Sequence, residues 1–262
     1  MQMPHRAGRV RAFTLVECLA ATAIVLVLGV LATAAGKNAF KQSSLAVSAN
    51  NLRQLAAGTA AYLGDNNYTF WKYRENLPGE GVRWWFGFEP LASLGAPEGT
   101  RTLDPGRSPL AGYIPAGFRP DPSFGFTGKA FKPKYRFGYI GTAYNVHLAD
   151  SEFRSTRGWI GTGQPARYWQ LENPAGTVVF TTSAQVNAFQ APASSSNPMI
   201  EEFYGIDERE VTVHFRHGGK AMVAFANGAA GFLEMDPTTL DKRARSAAVG
   251  RFAPVGNAKY LR

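Results

Sequence analysis

The sequence predicts an α+β chain in which a long N-terminal helix, transmembrane in its first half, packs against a head with a C-terminal antiparallel β-sheet. Three observations predict it. From Phe13 to Ala35 the chain carries a single charge, Glu17, in twenty-three residues. No proline occurs between Phe13 and Leu77, and helical apolar spacing continues well past the uncharged run. Near the C-terminus, alternating apolar residues and glycine-rich turns read as consecutive antiparallel strands.

Taken in order, residues 1–12 hold Arg6, Arg9 and Arg11 and no acid. The apolar run 13–35 is long enough to cross a bilayer, which needs about 20 helical residues at roughly 1.5 Å each. Arginines before it should stay cytoplasmic, leaving the rest of the chain outside the membrane. Residues 36–64 continue the helix with Leu45, Ala49, Leu52, Ala56, Thr59 and Leu63 on one face. Lys41, Gln42, Asn50, Arg53 and Gln54 fall largely elsewhere, and Gly64-Asp65-Asn66-Asn67 form the stop. Gly29, Gly36 and Gly58 permit flexing or close contact.

From residue 65 to 240 the chain reads as an α+β head. Extended segments are expected at 82–88, 134–146, 177–182 and 210–234, with an exposed loop at 191–198. Within the last segment His217-Gly218-Gly219-Lys220 is a turn, and Asn227-Gly228 reads as a type I′ hairpin dipeptide. Residues 241–262 are basic and weakly patterned, and are expected to form a mobile tail.

Other readings of the first segment fit less well. A cleaved signal peptide has Ala32-Thr33-Ala34 available, but a carboxylate inside the apolar region is costly, about 2.5 to 3.5 kcal/mol for Asp on insertion scales. Lipidation of Cys18 fails because Glu17 stands where a small residue is needed and most of the apolar run follows the cysteine.

The string Arg11-Ala12-Phe13-Thr14-Leu15-Val16-Glu17 resembles the cleavage and methylation signal of type IV prepilins and pseudopilins. In that family a basic leader ends in a small residue, usually Gly where this chain has Ala12. The resemblance implies cleavage between Ala12 and Phe13, N-methylation of Phe13, and an assembly role for Glu17, fifth in the mature chain. Glu17 lies one turn from the new amino group, and a neighbouring subunit's N-terminus can offer the opposite charge that a carboxylate in apolar surroundings needs.

The block Arg216-His217-Gly218-Gly219-Lys220 to Asn227-Gly228 resembles the H-x9-DG element of a large pilin-like family, with Asn227 in place of Asp. Glu172-Asn173-Pro174-Ala175-Gly176-Thr177 resembles the turn before one of its strands. The fold implied is pilin-like. The function implied is that of a structural subunit of a pilus-like or type II secretion pseudopilus-like filament. The partners implied are a prepilin peptidase, other pilin or pseudopilin subunits in a homo- or hetero-filament, and an inner-membrane platform with a cytoplasmic ATPase. The alternative is a membrane-anchored or secreted extracytoplasmic protein that binds polysaccharide or DNA.

Composition agrees with a folded chain: 45% hydrophobic and 18% charged residues exclude disorder. The formal charge is +9, and loss of Arg6, Arg9 and Arg11 with the leader lowers it to +6, which weakens a nucleic-acid reading. One cysteine excludes an internal disulfide, and Cys18 reads as a small buried hydrophobe. His214 and His217 should face opposite ways, and Asp150, Glu152, Asp207 and Asp236 have no calcium-loop spacing, so no metal or other cofactor is expected. No nucleophile-elbow, zinc-protease or phosphate-loop motif is present, and no enzymatic activity is expected. Trp71, Trp84, Trp85, Trp159 and Trp169 suit core packing better than a glycan or nucleic-acid platform.

Overall fold

A computed structural model describes residues 14–115, 117–125, 128–136, 140–150 and 163–262. Residues 1–13, which include the Ala12–Phe13 junction, lie outside the described residues. The chain divides into two units at Ser43/Ser44.

The first unit is the N-terminal part of helix α1 (Leu15–Asp65). From Leu15 to Leu31 its large apolar side chains are uncovered, Leu15 at 78% and Leu26 at 71% exposure. Cys18, expected to be buried, is exposed with them. Among the described residues, α1 is the one helix long and apolar enough to cross a membrane.

In the second unit α1 contributes Ser44, Ser48, Leu52, Leu55, Ala56, Gly58, Thr59 and Leu63 to the interior. The steps of three and four are those of a single helix face, and each buried leucine stabilises by about 1.5–3 kcal/mol. Leu45 and Ala49, expected in that face, are only partly buried at its edge. Gly58 is there because a β-carbon would stand 2.9 Å from Ile114 Cγ1 and 3.0 Å from the Tyr113 carbonyl oxygen; Gly29 and Gly36 have open space. The helix ends when the Asn66 amide side chain donates to the Tyr62 carbonyl (2.8 Å) and Asn67 and Tyr68 turn left-handed (φ +51° and +52°).

Beyond the helix, β1 (Arg74–Leu77), β2 (Gly81–Trp84) and β3 (Gly87–Pro90) form an antiparallel meander. The single strand expected over 82–88 is thus two, because the chain turns at Trp85 and Phe86 to bury both. The segment expected over 134–146 yields only β4 (Thr142–Asn145), after which the Asn145 side chain accepts from His147 N–H (3.0 Å) and starts a one-turn helix. Then come β5 (Val178–Thr182), β6 (Gln185–Asn187), β7 (Met199–Glu201), β8 (Gly205–Ile206), β9 (Val213–His214), β10 (Lys220–Phe225), β11 (Ala230–Glu234) and β12 (Val249–Gly250).

The main sheet has the order β11-β10-β5-β4-β8, antiparallel except for the β4–β8 pair. Pairs β6–β7 and β9–β12 form two further two-stranded antiparallel sheets. The architecture is therefore α+β, with antiparallel strands dominating the C-terminal half.

The face of the sheet that meets α1 is aromatic. Trp71 stacks on Tyr144 (centroids 4.8 Å) and Phe180 (5.9 Å), Trp85 tilts against Phe180 (5.3 Å), and Phe86 stacks on Tyr204 (3.9 Å). Trp84 is half-buried and Trp169 is exposed; Trp159 lies outside the described residues.

The basic tail expected to be mobile is packed instead. Ala247, Val249 and Leu261 are buried, and β12 pairs with β9. Tyr260, Leu261 and Arg262 offer backbone carbonyls to Val178 N–H, the Asn145 side chain and the Thr177 hydroxyl. A few apolar residues spaced among charges were enough to fix the segment, and that spacing is too sparse to register as a pattern.

Candidate functional site

Two regions carry the predicted site residues. At the start of α1, Thr14 and Glu17 form a capping box. The Glu17 amide donates to Thr14 Oγ1 (3.2 Å), and Glu17 Oε2 accepts from the Thr14 amide (2.8 Å) and hydroxyl (2.9 Å). The carboxylate in the apolar segment thus has local donors within its own chain, and the helix begins two residues after Ala12–Phe13. Thr14 was not among the predicted site residues, although the spacing T-x-x-E is the signal that finds it. Phe13 and Ala12 themselves lie outside the described residues.

The second region is the C-terminal motif. Gly218 (φ +66°) and Gly219 (φ +82°) are the central residues of the His217–Lys220 turn, both left-handed, which is the type I′ geometry that only glycine adopts freely. At the other end of β10 the Phe225 carbonyl accepts from Gly228 N–H (3.0 Å), and only Gly228 is left-handed (φ +88°). Asn227-Gly228 therefore closes a three-residue loop with a glycine bulge and not the expected two-residue I′ turn. Asn227 N–H donates to the Pro174 carbonyl (3.1 Å), which joins the two segments that carry the family resemblance. Lys220 makes an exposed cross-strand ion pair with Glu234 (3.0 Å).

Arg216 is the buried hub of this region. Its Nη2 donates to Asp121 and to the Gly141 carbonyl (2.7 Å), its Nη1 meets His214 Nδ1 (2.9 Å), and the guanidinium lies over Phe124 (5.2 Å). Asp121 in turn accepts from the Ser48 hydroxyl on α1 and from Ser123 N–H (2.8 Å). Burial works to raise the Asp121 carboxyl, but the guanidinium and the Ser48 and Ser123 donors outweigh it and hold it below the usual carboxylate range. Burial and the Arg216 charge push His214 well below its ordinary value, which keeps its Nδ1 an acceptor. His217, on the turn, is pushed down to about 4 by burial and by Arg216, and its ring sits edge-on to Phe232 (6.1 Å). Both rings thus feel the Arg216 charge, and His214 also feels His217.

Other buried ionisable groups are paired by residues far away in sequence. Glu89 is gripped by Arg101 through two bonds (2.7 and 2.6 Å) and also accepts from Trp84 and Tyr135. Lys132 meets Glu98 and Glu201, the latter at 3.0 Å. Glu202 accepts from the Gly141 (3.0 Å) and Ile140 amides and the Tyr204 hydroxyl (2.8 Å), yet near-complete burial pushes it up to about 7. His147 Nε2 lies 2.6 Å from Glu208.

Among the described residues no three His, Cys, Asp or Glu side chains converge as metal ligands. Of the four acids considered for calcium, Asp150 accepts from Gly163 N–H (3.0 Å) and Asp236 caps the turn at Thr238 (2.9 Å), while Glu152 lies outside the described residues. The Arg216 guanidinium and Asp121 link the hairpin, the 121–123 loop and α1 to one another.

No protein-family model, curated protein or solved structure matches the chain.

Proposed function

We propose that the chain is a structural subunit of a type IV pilus-like or type II secretion pseudopilus-like filament, cleaved before Phe13 and N-methylated there by a prepilin peptidase. The observation that carries this reading is the start of α1: an uncovered apolar helix whose one acid, Glu17, lies four residues from the proposed new N-terminus and immediately follows the basic leader. Before assembly the apolar part sits in the inner membrane, with the leader cytoplasmic and the head outside. The Thr14 donors lower the cost of holding Glu17 there.

On assembly, an inner-membrane platform driven by a cytoplasmic ATPase lifts subunits out of the bilayer, and their apolar helices cover one another. The Phe13 amine of one subunit then supplies Glu17 of the next with a cation, so that axial stagger is set by charge pairing while the apolar contacts supply the attraction. The head needs no catalysis for this role.

Intact mass and N-terminal sequencing of membrane-extracted protein test the reading. The expected result is a chain beginning at N-methylated Phe13. A chain beginning at Ala35, or an uncut Met1, overturns it. Glu17→Ala should leave cleavage largely intact and abolish incorporation into filaments; normal incorporation would refute the role given to Glu17.

A further inference from the structure

One region of the head is not used by assembly. The segment just after α1, residues 68–72, lies hydrogen-bonded beside residues 164–169: Phe70 N–H donates to the Ala166 carbonyl (2.9 Å) and Tyr168 N–H to the Tyr68 carbonyl (2.7 Å). One end of this pair borders a cavity of about 300 Å³ lined by Tyr62, Trp71, Lys72, Glu75, Arg83 and Gln164. That is the lower end of the size range for small-molecule sites. Trp71 contributes to the wall but is 2% exposed, and its indole N–H is buried without an acceptor among the described residues.

The other end of the pair carries exposed aromatics. Tyr68 and Trp169 are 53% and 58% exposed, with ring centroids 6.2 Å apart, and the Arg167 guanidinium lies over Trp169 (5.4 Å). Tyr68 is held there by a left-handed backbone, a conformation uncommon for an aromatic residue and one that concentrates at functional sites. Trp71 and Trp85 show that this chain buries its tryptophans where it can; Trp169 is left out.

We infer that the cavity and the Tyr68–Trp169 platform together bind an acidic oligosaccharide, one carboxylate-bearing sugar entering the cavity and its neighbour lying on the aromatic rings. The charges choose among ligands. Lys72, Arg83 and Arg167 outnumber Glu75, which favours an anion, and Lys72 makes no ion pair among the described residues. Glu75, paired to Arg83 but facing the same cavity, is an acceptor. An acidic sugar offers hydroxyl donors to it as well as a carboxylate to Lys72, whereas a phosphodiester group brings only acceptors. Exposed tryptophan and tyrosine faces suit the C–H face of a pyranose as well as a nucleobase, so the cavity's donor and acceptor set decides between them.

The inference does not rest on filament assembly and is read on the full-length subunit in detergent, whether or not Phe13 is methylated. Tryptophan fluorescence is titrated with an oligogalacturonide, a neutral maltooligosaccharide and a single-stranded oligothymidylate. The oligogalacturonide should give a saturable change and bind about tenfold tighter than the neutral sugar, the difference made by one charge-assisted contact. Trp169→Ala should weaken it about tenfold or more, in line with loss of a stacking face. Lys72→Gln should remove the preference for the acidic sugar over the neutral one. Both residues are exposed, so unchanged thermal unfolding verifies the fold. The inference is overturned by the absence of a saturable response to the oligogalacturonide, by affinities unchanged in the Trp169→Ala and Lys72→Gln variants, or by tighter binding of the oligothymidylate.

Discussion

Arg216 illustrates how much a single residue holds together in this head. Its guanidinium is 4% exposed and neutralises Asp121, which in turn anchors Ser48 on the helix. Removing the cation alone strands a buried carboxylate, so Arg216→Ala should destabilise the head by about 3–5 kcal/mol, read as a lower denaturant midpoint. Asp121→Asn keeps the Ser48 and Ser123 contacts and should cost less. Glu202 makes the opposite kind of demand. Its carboxyl is pushed by burial from its ordinary value up to about 7, so the folded state binds its proton more tightly than the unfolded state. Its contribution is then greatest at low pH and is lost as pH rises from about 4.5 through 7. Glu202→Gln should therefore leave stability little changed at pH 4.5 and raise it at pH 8 by up to about 3 kcal/mol. Thermal midpoints of both proteins across that range check it; a difference independent of pH would show that folding does not raise the Glu202 carboxyl.

At the scale of elements, α1 was legible because its period repeats over many turns, and its inward face was misjudged by one position at Ser44 and Ser48. Serines do not look like core, and Ser48 is inside because its hydroxyl meets Asp121, 73 residues away. The same reason hides the Arg216 site: its motif is local and visible, but its partner Asp121 lies 95 residues upstream in a turn with no pattern of its own. The Thr14–Glu17 box, by contrast, is complete within four residues and can be read directly. Short strands were legible where alternation met a glycine turn, as at β10 and β11, and not where an aromatic pair broke the run, as at Trp85-Phe86. The glycines of α1 separate these cases by experiment. Gly58→Ala should cost about 1–3 kcal/mol by overpacking against Ile114 and the Tyr113 carbonyl, less a gain of about 0.5–1 kcal/mol in helix propensity. Gly36→Ala meets nothing within 4 Å and should show only the gain. Equal midpoints for the two variants would mean that α1 does not pack on that turn.

For the whole molecule, the placement of positive charge matters more than its sum. Three of the arginines behind the +9 belong to residues 1–12, and the basic residues near the C-terminus are carried on a segment pinned to the main sheet. That segment closes the end of β5: Val178 N–H, the Asn145 amide and the Thr177 hydroxyl donate to the Tyr260, Leu261 and Arg262 carbonyls, and Leu261 is 5% exposed. Deleting residues 257–262 should then remove three bonds of about 1 kcal/mol each and the burial of a leucine worth about 1.5–3 kcal/mol. The sum is a large share of the roughly 5–15 kcal/mol that holds a typical domain together. The truncated chain should melt at a clearly lower temperature, and in the intact chain trypsin should cut after Lys259 much more slowly than in an unstructured segment. A mobile tail would give the reverse on both counts, with rapid cleavage at Lys259 and an unchanged melting temperature after truncation.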